Sequence, residues 1–224
     1  MGVHFMAADQ VGECWQLLRQ SMRSVSYECL AHLPAYSSWL AGQDWAGAYR
    51  RHRRNLQLIG LPDRSRRWVL KNPSHLFALD ALLRVYPDAL VIQTHRDPRT
   101  AIASVCSLAA QASAGWSSVF TGEVIGRGQL ELWARGLERF TAERARHDPA
   151  QFFDVSYDEF VKHPIQTVEA IYAHFGLTLS AAARDAMQAL HTQGAPAPAW
   201  PTHRYALSDF GLTGGQVDER FGHR

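Results

Sequence analysis

The stretch from Ala89 to Leu108, ALVIQTHRDPRTAIASVCSL, constrains the fold more than any other part of this chain. An apolar, β-branched run ends at His95, and Asp97-Pro98 follows at once, ahead of a helical pattern. Aspartate at a helix N-cap and proline at the first helical position each satisfy the geometry of a helix start. The unit therefore reads as strand, sharp turn, helix. The same order occurs just before it, with RRWVLK as a strand, SHLFALDALLRVY as a helix and Pro87-Asp88 as the turn between units. Such β-α-β-α order predicts an α/β fold with a parallel sheet flanked by helices. The loops at the carboxyl ends of its strands face ligand.

The remaining segments fill in around this unit. FFDV is expected to be a third strand, Tyr157 to open a short helix, and Pro164 to sit in the first turn of the next. A long helical region runs to about Arg146, interrupted by Gly126 and Gly128. The tail DFGLTGGQVDERFGHR reads as a turn and a final helix. Towards the amino terminus, apolar residues recur at three- and four-residue steps from about Ala8 to Leu33, predicting an amphipathic helix stopped by Pro34. AYSSWLAG is a short helix or turn, and Asp44 is the expected N-cap of a third helix striped by Trp45, Tyr49, His52, Leu56 and Ile59. Arg50, Arg51, Arg53 and Arg54 flank that stripe. A solvated face is the favoured reading of them, with an acidic substrate as the other. The chain is read as a single domain, 1–224, with a helical segment at 1–62 and a sheet-and-helix part at 63–224. Only three short strands emerge, few for a sheet covered on both faces.

The 224 residues carry a net charge of +2, which argues against a nucleic-acid-binding protein. Cys14, Cys29 and Cys106 have no metal-ligand spacing, so neither a disulfide framework nor a metal site is expected. The amino terminus lacks signal-peptide character and no run is long enough to cross a bilayer, so a cytoplasmic protein with no integral membrane segment is expected.

Two strand ends concentrate the chemistry. At the first, Lys71-Asn72-Pro73-Ser74-His75 brings a lysine to a helix start that Asn72 or Ser74 can cap. At the second, Arg96 precedes the Asp97-Pro98 cap. Unpaired N–H groups at helix starts attract anions, and a neighbouring cation adds full charge. Ser104 lies about 9 Å along the helix from Pro98, at 1.5 Å per residue. Arginine and serine together suit a phosphate. A structural Arg96–Asp97 ion pair, with Ser104 as a small packing residue, accounts for the same residues equally well.

The combination WVLKNPSHLFALDALLRVYPDALVIQTHRDPRTAIASVCSL, FFDVSYDEFVKHP and HRYALSDFGL resembles the sulfotransferases that use 3′-phosphoadenosine 5′-phosphosulfate. It is closest in pattern to the bacterial branch with a Lys-x-Pro-x-His segment. The resemblance implies the P-loop NTPase-like fold of that family, with transfer of a sulfuryl group to a hydroxyl acceptor, a small molecule or glycolipid, without metal. It implies that Arg96 and Ser104 hold the donor's 3′-phosphate and that Tyr157 lies near the adenine. It also implies that Lys71 acts near the transferring group, while His203 and Tyr205 belong to a segment closing over the donor. His75 is the first candidate for the general base and equally a helix-capping or supporting residue. Glu13 and His32 are poorer candidates.

One family feature has no counterpart. The strand and phosphate-binding loop that cradle the donor's 5′-phosphosulfate are not found, because GLPDRSRRW precedes a strand and GLTGGQVDER follows none. The fold is therefore expected to be incomplete at the amino terminus, exposing apolar sheet edge through which the chain can self-associate. Two alternatives accompany this reading. One is a non-catalytic nucleotide-binding pseudoenzyme that retains the 3′-phosphate site. The other is a small-molecule kinase, disfavoured because no Gly-x-x-x-x-Gly-Lys-Ser/Thr loop occurs.

Overall fold

A computed structural model of the chain describes residues 12–63, 67–193 and 205–222. Its centre is a pair of parallel strands, β1 (Val91–His95) and β2 (Phe152–Ser156), in register from Val91 opposite Phe152 to His95 opposite Ser156. The helix α5 (Pro98–Ser113) leaves β1 and α6 (Gly122–Arg144) returns towards β2. This is the expected α/β arrangement of helices around a parallel sheet. α7 (Tyr157–Lys162) and α8 (Pro164–His174) follow β2, with Pro164 at the first helical position. α9 (Ala181–Gln193) comes next, and α10 (Gly214–Phe221) is the last helix, after a 3-10 turn at Leu207–Phe210.

The expected strand at RRWVLK does not form over its described residues, 67–71. Residues 67–71 have no strand pairing, because the described sheet contains only β1 and β2. Val69 is 89% exposed, and Trp68 and, on β1, Ile92 are nearly half exposed.

The long amino-terminal helix is likewise replaced. Within the described residues a single short helix, α1 (Trp15–Arg19), is followed by turns, and Met22 adopts φ 57°. That left-handed conformation breaks a right-handed helix whatever the apolar spacing predicts. Pro34 starts α2 (Pro34–Ala41) instead of merely stopping its predecessor. In α3 (Ala46–Ile59) the N-cap position falls on Trp45, while Asp44 accepts the Ala46 N–H at 3.0 Å. Before α4 (Leu79–Val85) comes a 3-10 segment, Pro73–Phe77, capped by Asn72 through the Ser74 N–H at 2.9 Å.

α6 runs unbroken through Gly126 and Gly128, against expectation. Packing explains Gly126: a methyl there would overlap the Phe210 carbonyl oxygen. At Gly136 it would meet the Phe77 ring at 2.5 Å. Bare backbone at these positions lets α6 serve as the spine of two cores. One joins Leu18, Trp45, Tyr49 and Phe77 to Leu132. The other joins Ile102, Cys106 and Phe120 to Ile125, Phe210 and Val217. A smaller cluster of Leu79, Leu83, Phe140 and Phe152 attaches α4 and α6 to the sheet.

Candidate active site

The carboxyl end of β1 delivers Arg96 to the surface immediately before α5. Asp97 does not pair with it. The Asp97 carboxylate caps α5, accepting the Thr100 N–H at 2.7 Å and the Thr100 hydroxyl at 2.9 Å, and these bonds lower its pKa. Of the two sequence readings, the Arg96–Asp97 ion pair is therefore absent. The Arg96 guanidinium instead stacks over the Tyr157 ring, 4.5 Å from its centroid. Tyr157 is the first residue of α7, so the parallel register of the two strands sets Arg96 and Tyr157 side by side. No carboxylate among the described residues pairs with Arg96. A planar, exposed cation resting on an aromatic face can still present its N–H edge to a phosphate.

Ser104 is part-buried on α5, and among the described residues its hydroxyl has no hydrogen-bond partner. Tyr205 is part-buried just ahead of the Leu207–Phe210 turn, which packs on α5 and α6. His203 lies outside the described residues.

Lys71 and His75 have different surroundings. Lys71 extends from the loop before the 3-10 segment, and its Nζ donates to Glu13 Oε1. The Lys71 carbonyl accepts from the Cys14 N–H at 3.2 Å, which brings Glu13 beside the lysine. Separated by 58 positions, the two carry no local sequence signal of their pairing.

His75 is held at both ring nitrogens. Nδ1 lies 2.8 Å from the Tyr49 hydroxyl and Nε2 3.4 Å from Cys14 Sγ. Burial, with His52 nearby, pushes its pKa down to about 3. The His52 ring stands edge-on to that of His75 at 6.3 Å, and its Nδ1 is 2.7 Å from the Tyr86 hydroxyl. Burial likewise lowers His52 to about 4 and raises the Cys14 thiol to about 11. This is a neutral, packed cluster in which His75 braces the loop that carries Lys71. Of its two sequence readings, the supporting one fits this geometry.

No hydrogen bond, ion pair or ring contact joins the Lys71–Glu13 pair to the Arg96–Tyr157 pair among the described residues. The first combines a cation with a proton-accepting carboxylate, and the second offers a nucleotide-sized anion a charged, aromatic ledge.

The ends of β1 and β2 thus carry the Arg96–Tyr157 pair on a parallel sheet flanked by helices, while Lys71 and Glu13 meet on loops outside the described sheet. Residues 1–181 match the Sulfotransferase family, and the chain belongs to that family. It is 27% identical over 111 residues to omega-hydroxy-beta-dihydromenaquinone-9 sulfotransferase Stf3 of Mycobacterium tuberculosis (strain CDC 1551 / Oshkosh). That match covers 49% of this chain and 28% of the relative. The crystal structure of sulfotransferase STF1 from Mycobacterium tuberculosis H37Rv superposes with TM-score 0.89 at 58% identity, covering 99% of this chain and 57% of that one. Sulfotransferase STF9 from Mycobacterium avium gives TM-score 0.86 at 26% identity, covering 97% and 56%. The chain thus spans little more than half the length of these solved sulfotransferases.

Proposed function

We propose that this chain acts in the cytoplasm in sulfuryl transfer from 3′-phosphoadenosine 5′-phosphosulfate to a hydroxyl acceptor. The observation that carries the reading is Arg96, exposed, without a carboxylate partner among the described residues, and stacked on Tyr157 at the start of α5. Arg96 and Ser104 would take the donor's 3′-phosphate, with Tyr157 beside its base and the segment of His203 and Tyr205 over it.

At the transfer end, the acceptor oxygen attacks sulfur while the bond from sulfur to the 5′-phosphate oxygen breaks and its electron pair departs with that oxygen. Lys71 stabilises the charge growing there, as in other transfers governed by alignment and electrostatics. The acceptor's proton goes to a base. His75 is poorly suited, with both nitrogens engaged and a pKa of about 3. Glu13, beside Lys71, takes that role, and His75 supports the loop. The name of the Stf3 relative specifies a hydroxylated menaquinone, which supports an acceptor hydroxyl carried on a lipid.

Calorimetric titration with 3′,5′-bisphosphoadenosine tests the nucleotide site. Saturable binding is expected, weakened in Arg96→Ala by roughly ten- to a hundredfold, since hydrogen bonds to a charged group contribute about 1.5–3 kcal/mol. Binding equal in both proteins removes Arg96 from the site. Glu13→Gln should bind the bisphosphate as the parent does and slow turnover of a hydroxyl acceptor by about 10²-fold or more. An unchanged rate assigns the base elsewhere.

A further inference from the structure

We infer that the outer face of α3, together with Leu61 and Trp68, forms a docking surface for an anionic lipid bilayer. α3 contains no acidic residue, and Arg50, Arg51, Arg53 and Arg54 are all exposed on it. None of the four has an ion-pair partner among the described residues, and Arg51 makes only a long bond to Gln20, at 3.5 Å. Elsewhere among the described residues the exposed arginines are mostly paired, as in Arg99 with Asp218, Arg184 with Glu169 and Arg146 with Asp80. The α3 set is therefore a concentrated and uncompensated positive field.

Apolar groups continue the same face. Arg50, Arg54 and Leu58 succeed one another at four-residue steps and so share one side of the helix. Leu58 is 67% exposed, and Ile59 and Leu61 are more than half exposed at the helix end. Trp68 joins them, because its ring lies against Gly60, where an added methyl would stand 3.2 Å from Cζ2. The buried side of the helix, with Tyr49, His52 and Leu56, is already occupied by the core.

Arginines beside exposed leucine, isoleucine and tryptophan match a bilayer interface, where guanidinium groups meet phosphates and the apolar groups enter the acyl boundary. A dry protein partner would need matching carboxylates as well as an apolar patch. A lipid surface supplies anions and apolar depth together without fixed geometry. No helix of the described residues is long and apolar enough to cross a membrane. The inference stands apart from the transfer reading, since docking needs neither donor nor acceptor.

Vesicle flotation tests it with the whole chain, comparing phosphatidylcholine alone with phosphatidylcholine containing phosphatidylglycerol. Binding is expected only to the anionic vesicles and is expected to fall with salt. Arg50→Gln/Arg54→Gln should lower the partition coefficient roughly tenfold or more. Leu58→Ser/Leu61→Ser should lower it comparably while leaving bisphosphoadenosine binding intact. Failure to bind anionic vesicles overturns the inference, as does binding indifferent to both pairs of substitutions. A third result also overturns it: a chain that self-associates, is made monomeric by Leu58→Ser/Leu61→Ser and ignores vesicles. The face would then meet a second copy of the chain. Loss of bisphosphoadenosine binding by the parent chain would bear on the transfer reading alone.

Discussion

His52 and His75 illustrate how burial changes what a histidine can do. Each is denied water and held by neutral partners, Tyr86 for His52 and Tyr49 with Cys14 for His75. Their folded pKa values are about 4 and about 3, against 6.5 ordinarily. Below about pH 6.5 the unfolded chain therefore binds protons that the folded chain refuses, so stability falls as the pH drops. The loss continues until the folded values are reached, at up to about 1.4 kcal/mol per pH unit for each imidazole. Urea unfolding should accordingly show a midpoint clearly lower at about pH 5 than at about pH 7, and His52→Phe should reduce the difference. A midpoint flat across that range would mean that the imidazoles are free to charge in the folded state. At the same scale, Asp97 was legible as a cap because capping is local, whereas the pairing of Lys71 with Glu13 was not, because chain folding alone brings those positions together.

At the scale of elements, α6 carries the strongest constraints. Its glycines read in sequence as interruptions, yet Gly126 and Gly128 lie in one continuous helix. Their situations differ. Gly126 faces the Phe210 backbone, which cannot swing away, whereas a methyl added at Gly128 would meet nothing within 4 Å. Gly126→Ala should therefore destabilise the protein by about 1–3 kcal/mol, the usual cost of overpacking a tight contact. Gly128→Ala should be neutral or stabilise by roughly 0.5–1 kcal/mol through helix propensity. Chemical denaturation of the two variants checks this directly, and equal effects would refute the packing account of Gly126. RRWVLK shows the converse limit. Its residues suit a strand, but a strand exists only with a partner, and the described sheet offers none beside it.

Across the whole molecule, two strands alone make a weak sheet, and helices hold this one in place. Arg144 at the end of α6 bonds both oxygens of Asp154 at 2.7 Å and reaches Gln93 at 2.6 Å, so one side chain grips both strands. Those bonds, with His95 on the same carboxylate, hold the Asp154 pKa down to about 2. Phe152 packs edge-on against Phe140 of α6 beneath this clamp. Ile92 on β1 is nearly half exposed, in a chain spanning little more than half the length of its solved relatives.

The sequence by itself determined the α/β class, β1 with its capped α5, β2 with α7 and the proline-started α8. It also determined the family resemblance that the comparison bears out. All of these rest on local signals: strand-forming runs, cap residues and proline, whose effects act within a few positions. Tertiary structure alone decided that Arg96 stacks on Tyr157, that Glu13 meets Lys71, that His75 is locked between a phenol and a thiol, and that RRWVLK stays unpaired. Each depends on which distant segments pack together, and no spacing along the chain encodes that.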